Sequence, residues 1–336
     1  MDGSYLDVKE KFVNETPIED MHYRSYLPFS SSAMSRGDQI RIAVQNTDAY
    51  TLFCESYLYI EGKITRATGA TGKLSIAHNG LAFLFDEISY EVNGVEVQKV
   101  KDPGTTSLIK GYCSYSLNDV NNLQNAYWSP NDDDPSITYH ADDFKFSGSI
   151  PLSHLFGFAE DYRKIMINVS QQLVLNRSLK DVNVLRGTLE TGVTWADESS
   201  KKLMKSTVEL TKIAWKLPVV RVNDREKLKL LKIVESHKSL HCAFRNWDLC
   251  VYPQLPETTK HSWMVKTTNS VERPRYILLA FHTADNAGLS GKRTEKFDSC
   301  SITNLKVHLN SAEYPYENEL NLNHLQTSQQ GPVLIV

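Results

Sequence analysis

The chain has 336 residues, 41% of them apolar and 10% aromatic, which is enough to bury a large core and excludes a chain that is disordered over most of its length. Its 37 basic and 40 acidic side chains give a formal charge of −3, so it has no surplus of cations for a nucleic-acid backbone, and strong nucleic-acid binding is not expected. The longest apolar run, Tyr276 to Phe281, is far short of the roughly 20 residues a membrane helix needs, so the sequence reads as that of a soluble protein with no membrane span.

In chain order, residues Met1 to Asp7 carry neither the basic nor the apolar segment of a secretory leader, and an intracellular protein is expected. Gln39 to Gln45 alternates with period two, Ile40, Ile42 and Val44 sharing one face, as a half-buried strand does. Leu52 to Ile64 alternates likewise, with Leu58 and Ile60 opposing Tyr57 and Tyr59. Ile88–Val92 and Val95–Val100 flank Asn93-Gly94, which supplies the positive φ of a two-residue type I′ turn and predicts a hairpin. After the breaker Asp102-Pro103-Gly104 a helix is expected from Ser107 to Leu123, with Leu108, Tyr112, Tyr115 and Leu117 on one face. Asn131 to Pro135 reads as an exposed acidic loop, without the spacing or closing Glu of a calcium-binding loop.

Strands are predicted again at Phe144 to Ile150 and Lys164 to Leu175, with a helical turn in Leu152 to Phe158 between them. After about residue 180 a second series begins: Val208 to Trp215, ended by Pro218, then an amphipathic helix Arg225 to Ser236 that Asn223-Asp224 can cap. Strand-like segments follow at Leu240 to Tyr252, Ser262 to Thr267, Arg275 to Thr283 and Ser301 to Leu309. Many short strands, few helices and two similar halves predict two β-sandwiches in one all-β chain.

No catalytic signature is present, and no catalytic, cofactor-binding or metal residue is assigned. The five cysteines, Cys54, Cys113, Cys242, Cys250 and Cys300, are odd in number and widely spaced, which suits reduced, mostly buried thiols. Sequons at Asn14, Asn168 and Asn176 read as coincidences of composition. His237 and His241 have the i, i+4 spacing of a metal face but no third ligand. Asp86 with Glu87, and Asp142 with Asp143, are adjacent, so on a strand their carboxylates point to opposite faces and serve a glycosidase poorly. The basic clusters Lys201-Lys202 and Lys227, Lys229, Lys232 read as solvated faces. Aromatics on predicted strands, including Tyr57, Tyr59, Tyr90 and Trp215, suit cores and subunit contacts better than a sugar-binding groove.

Several stretches resemble a known family. In the first half they are Ser56 to Gly62, Phe85 to Val97 and Ile150-Pro-Leu-Ser-His-Leu-Phe-Gly-Phe158; in the second, Ile213 to Pro218, Arg273 to Phe281, Phe297 to Asn310 and Tyr314-Pro-Tyr316. Together, over roughly residues 25 to 325, they are similar to the double jelly-roll capsid-like proteins of eukaryotic DNA viruses and Polinton/Maverick-type elements, including copies resident in invertebrate genomes. The tail Gln326 to Val336 departs from that pattern. The resemblance implies two eight-stranded jelly rolls side by side: an arm over 1–25, a first jelly roll over 26–180, a second over 181–325, and a tail over 326–336. It also implies a structural, capsid-type subunit, or a domesticated relative of one, that is not an enzyme and needs no cofactor. Such a subunit would form pseudo-hexameric homotrimers, build a shell with further copies and with a penton or minor capsid protein, and reside in a virion. The polar loops Arg66 to Lys73 and Asp285 to Lys296 would then carry outer or contact surfaces. The alternative is a glycan-binding or glycan-processing protein on the same scaffold.

Overall fold

A computed structural model describes residues 17–29, 34–45, 50–129, 143–189, 194, 197–252, 254–265, 274–282, 297–298, 300–309, 312–314 and 334–335. Among them run β1 (Ile18–Tyr26), β2 (Gln39–Val44), β3 (Tyr50–Thr51), β4 (Tyr57–Thr65), β5 (Lys73–Ile76), β6 (Phe85–Val92) and β7 (Val95–Lys101). Next come α1 (Pro103–Ser114), α2 (Leu117–Asn122), β8 (Asp143–Pro151), α3 (Leu152–Leu155), α4 (Gly157–Asp161), β9 (Gln171–Arg177) and β10 (Leu185–Thr188). The remainder are α5 (Glu198–Leu203), β11 (Thr207–Val222), α6 (Asp224–Glu235), β12 (Leu278–Leu279), β13 (Val307–Leu309), β14 (Ala312–Tyr314) and β15 (Leu334–Ile335). No described helix is long and apolar enough to cross a membrane.

Two antiparallel sheets form a sandwich. One has the order β1-β11-β4-β8, with β3 also paired to β11; the other has the order β2-β9-β6-β7. Alternation decides which residues fill the space between them. Ile40, Ile42 and Val44 of β2, Leu173 and Leu175 of β9, and Ile88 and Tyr90 of β6 face Leu58 and Ile60 of β4 and Ile213, Trp215 and Leu217 of β11. Each fully buried aliphatic side chain contributes about 1.5–3 kcal/mol relative to exposure. At the centre Phe53 stacks on Tyr90 with ring centroids 3.9 Å apart and meets Trp215 edge-on at 6.0 Å. A polar chain crosses the same core: the Tyr90 hydroxyl donates to Gln171 Oε1 (2.8 Å), and Gln171 Nε2 donates to Thr51 Oγ1 (2.7 Å). Every polar atom in that chain has a partner, so it ties the two sheets together without an orphaned group.

The predicted hairpin is β6–β7, with Asn93 at φ 51° and Gly94 at φ 77° as a two-residue primed turn requires. The strand expected to end at Pro218 instead runs on to Val222. Pro218 lies where β11 passes from β4 to β3, and its carbonyl accepts from Leu52 N across that gap, so the ladder asks for no N–H from the proline. A register shift between Leu210 and Lys212 keeps both Leu210 and Ile213 facing inward, although they are three residues apart. Because β11 pairs with β4 and β1, the first sandwich extends past the division expected at residues 180 and 181.

Other expectations need correction. The helix expected over Ser107 to Leu123 begins earlier and is two helices: Asp102, at φ 42°, caps α1 by accepting from Thr105 N, and a capping box between Ser116 and Asp119 starts α2. Leu117, expected on its inner face, is 79% exposed. The strand expected from Lys164 begins at Gln171, because Asn168 at φ 50° interrupts the extended backbone. In the second half, Leu240 to Tyr252 and the described part of Ser262 to Thr267 form no strand; Arg275 to Thr283 contributes only β12 and Ser301 to Leu309 only β13. Alternation states which side chains a strand would bury, but a strand also needs a partner edge, and residues 240–252 instead send Phe244 toward the first sandwich. Residues 131–135 and 285–296 lie outside the described residues. Residues 334–335 of the tail pair with β12.

Candidate functional site

Three short helices, α1, α3 and α4, cap one end of the sandwich, and the sequence places them by local chemistry. Pro151 ends β8 and leads directly into α3, while Phe156 in extended geometry separates α3 from α4. On the face of α1 that packs inward, Gly104 lies against Phe83 and Gly111 against Trp128, so a Cβ at either position would overlap a ring. This close approach brings distant polar groups together in a buried seam.

His154, on α3, is fully buried. Its Nε2 lies 3.0 Å from Asn79 Oδ1 and its Nδ1 2.6 Å from the Tyr115 hydroxyl. Asn79 Nδ2 is already committed as a donor to Gly104 O (3.0 Å) and Ser107 Oγ (2.8 Å), so its Oδ1 must accept, which places the imidazole proton on Nε2. Tyr115 then donates to Nδ1. Burial pushes the His154 pKa down to about 3, helped by the nearby Lys110 charge, and pushes the Tyr115 hydroxyl up. His78 stands beside it under Trp128, ring centroids 4.4 Å apart, and accepts from Ser129 N through Nδ1 (2.8 Å). Desolvation likewise drives His78 down to about 3.

Lys110 continues the seam outward. Its ammonium donates to Ser153 O (2.8 Å) and pairs with Glu160 at 2.7 Å. Burial holds it below the usual lysine range, with Glu160 opposing that drop. At the rim, Arg245 from the second half lies against Asp161 and Glu160. A second buried pair sits at the other end of β9. Arg177 pairs with Asp181 and donates to Leu84 O (2.9 Å), while Asp181 Oδ2 also accepts from Val208 N (2.9 Å) and Arg36 Nε (2.8 Å). All these groups hold elements in place. Tyr115 does donate to an imidazole, but burial pushes its hydroxyl pKa up, and the two histidines remain neutral at physiological pH.

The residues singled out by sequence are not brought together into a site. His237 follows the end of α6 at φ 51°, so it and His241 leave the helical face that their spacing suggested; both are exposed. Among the described residues no group of three or more His, Cys, Asp or Glu is placed to hold a metal. Asp86 is exposed, whereas Glu87 pairs with Lys99 at 2.9 Å and accepts from Asn176 Nδ2 (3.1 Å), which puts the two carboxylates on different faces. Asp142 and the side chain of Asp143 lie outside the description. Lys201 pairs with Glu198 and Lys229 with Glu226, as solvated helix faces do. Tyr90 and Trp215 are core residues, whereas Tyr57 and Tyr59 are only half-buried. The cysteines carry free thiols, but none is buried: three are half-buried, and Cys242 and Cys300 are exposed. The loop at 66–73 leans on the α5 region, Ala67 N donating to Ser206 Oγ (3.1 Å). A shallow recess of about 210 Å³ lined by Cys54, Glu55, Ser56, Tyr57, Ser149, Pro151 and Ser153 contains one carboxylate, not the facing pair a glycosidase uses.

Sequence reasoning missed the seam itself. The one available signal was Lys110, a charged residue between Leu108 and Gly111 on the packed face of an otherwise small and apolar helix.

Among the described residues, apolar side chains are exposed on α6 and on β1. α6 carries no buried residue and exposes Leu228, Leu231, Ile233 and Val234. Among the described residues β1 pairs with β11 alone, and it exposes Ile18, Met21 and Tyr23.

Comparison with known proteins gives a family match. A family model described as a double jelly roll-like domain matches residues 74–329. Among solved structures, the chain is similar to the Sputnik virophage solved by cryo-electron microscopy (9% identity, 65% of this chain and 51% of that chain, TM-score 0.47). It is also similar to the Faustovirus major capsid protein (7%, 68% and 58%, 0.41) and the mavirus major capsid protein (12%, 65% and 50%, 0.37). The chain spans about half the length of the solved structures it matches. No curated protein matches it.

Proposed function

The chain belongs to the double jelly roll-like domain family, and from that premise we propose that it is a structural, capsid-type subunit, or a domesticated relative of one, whose work is self-association. The family match over residues 74–329 carries this reading. The surfaces support it: α6 and β1 leave apolar area exposed, where another copy can cover it. A formal charge of −3 keeps repulsion between copies small. In the full form of the proposal, the 26–180 and 181–325 portions with the β11 extension make two jelly rolls, three chains close a pseudo-hexameric capsomer, and capsomers tile a shell in a virion, with a penton or minor capsid protein as a further partner. Catalysis has no part in it.

The test is a surface variant. Leu228→Glu combined with Leu231→Glu changes exposed positions, so the monomer fold is expected to keep its stability to within about 0.5 kcal/mol. In sedimentation velocity the wild-type chain is expected to form discrete oligomers and the double variant to shift toward monomer. Identical distributions for the two proteins would remove α6 from the contact surface, and a wild-type monomer at every concentration would count against the proposal as a whole.

A further inference from the structure

Residues 244–246 cross α4 and the middle of β7, and each meets a dedicated partner. Phe244 packs edge-on against Phe158, ring centroids 5.2 Å apart. Arg245 donates from its backbone N (2.7 Å), Nε (3.0 Å) and Nη2 (2.7 Å) to the Asp161 carboxylate, and its Nη2 lies 3.2 Å from Glu160. Asn246 Oδ1 accepts from Gln98 Nε2 (3.0 Å), and the same Gln98 accepts from Phe158 N (2.8 Å), so one side chain fixes both seat and strap. Gly157 lies directly beneath the Arg245 carbonyl, where any Cβ would overlap it. Before it, residues 237–243 are exposed and form no helix or strand.

We propose that Phe244-Arg245-Asn246 is a releasable strap and that α4 with Gln98 is its seat, a clasp that sets where the second half of the chain begins against the first sandwich. The seat recognises an extended segment by an aromatic edge, a fork-shaped guanidinium on a carboxylate and an amide pair, a combination in which the planar fork of arginine supplies the geometry. Lys110 neutralises the second carboxylate, Glu160, from the buried side, so the seat presents a net single negative charge to Arg245. Half of the Arg245 side chain stays exposed, which lets the strap detach without disturbing the core beneath it.

Hydrogen exchange read by mass spectrometry on the full chain tests this clasp. Arg245→Ala and Asp161→Asn are each expected to raise the exchange rate of the Arg245 segment about tenfold or more, while β4 and β11 amides keep their wild-type protection. Arg245→Lys keeps the charge and loses the fork, and its exchange rate is expected to fall between those of wild type and Arg245→Ala. Unchanged exchange in Arg245→Ala, which lies outside the sandwich and leaves its fold intact, overturns the proposal. Equal loosening of β4 and β11 in both variants overturns it as well, because the contact would then be part of the core rather than a separable strap.

Discussion

Lowering the pH from 7 to 5 is expected to cost the folded sandwich about 4 kcal/mol, a steep loss for a chain whose carboxylates have barely begun to protonate in that range. The cause is the pair of buried histidines. His78 and His154 are both held neutral by desolvation, each with a pKa pushed down to about 3, whereas in the unfolded chain they titrate near the ordinary value of 6.5. Their folded pKa is depressed, so the unfolded state gains protons first as pH falls. Their contribution to stability is therefore complete above about pH 6.5, declines between 6.5 and 3, and does not change on raising the pH from 7 to 8. Each contributes about 1.4 kcal/mol per pH unit below 6.5, hence about 2 kcal/mol apiece at pH 5. The hydrogen bonds agree with this sign: protonating His154 would make Nδ1 a donor facing the Tyr115 hydroxyl that now donates to it. Urea unfolding at intervals from pH 8 to pH 5 measures the slope, and His154→Gln is expected to remove about half of it. A stability that stays flat down to pH 5 would show that these imidazoles take up protons in the folded state.

The second large effect concerns Asp181. Asp181→Ala is expected to destabilise the chain by about 3–5 kcal/mol, because it strands Arg177, only 2% exposed, as a buried cation and leaves Val208 N without an acceptor. Arg36 adds a further charge at the same carboxylate. The larger part of the loss comes from the stranded cation rather than from the pair's own worth, so replacing both residues, Arg177→Met with Asp181→Leu, is expected to recover that part, while Val208 N stays without its acceptor. Equilibrium denaturation of the two variants distinguishes these accounts. A single variant within about 1 kcal/mol of wild type would mean that water reaches Arg177 freely.

Legibility in the sequence followed the range of the interaction. The β6–β7 hairpin was readable because Asn93-Gly94 dictates its own backbone, and α6 was readable because Asn223 caps it by accepting from Glu226 N. Alternation located β2, β4 and β8, each with a partner strand to pair with. It failed where pairing was absent, at 240–252, and where a backbone departure interrupted a run, at Asn168. Pro218 misled for the opposite reason: a proline ends a strand only where its missing N–H would have been used. The seam was not readable because its partners are far apart in the chain. Asn79 and His154 are separated by 75 positions and Arg245 and Asp161 by 84, and neither pair carries a motif. The family resemblance did cover His154, within Ile150 to Phe158, but did not say what that residue touches.

The central claim is that this chain acts by meeting copies of itself. Electron microscopy of the purified chain at high concentration, over a range of salt and at pH 7 to 8 where the buried histidines are not titrating, tests it most directly. The account predicts particles of threefold, pseudo-hexagonal outline, alone or joined into larger arrays. A field of single-chain particles under every one of those conditions would contradict it.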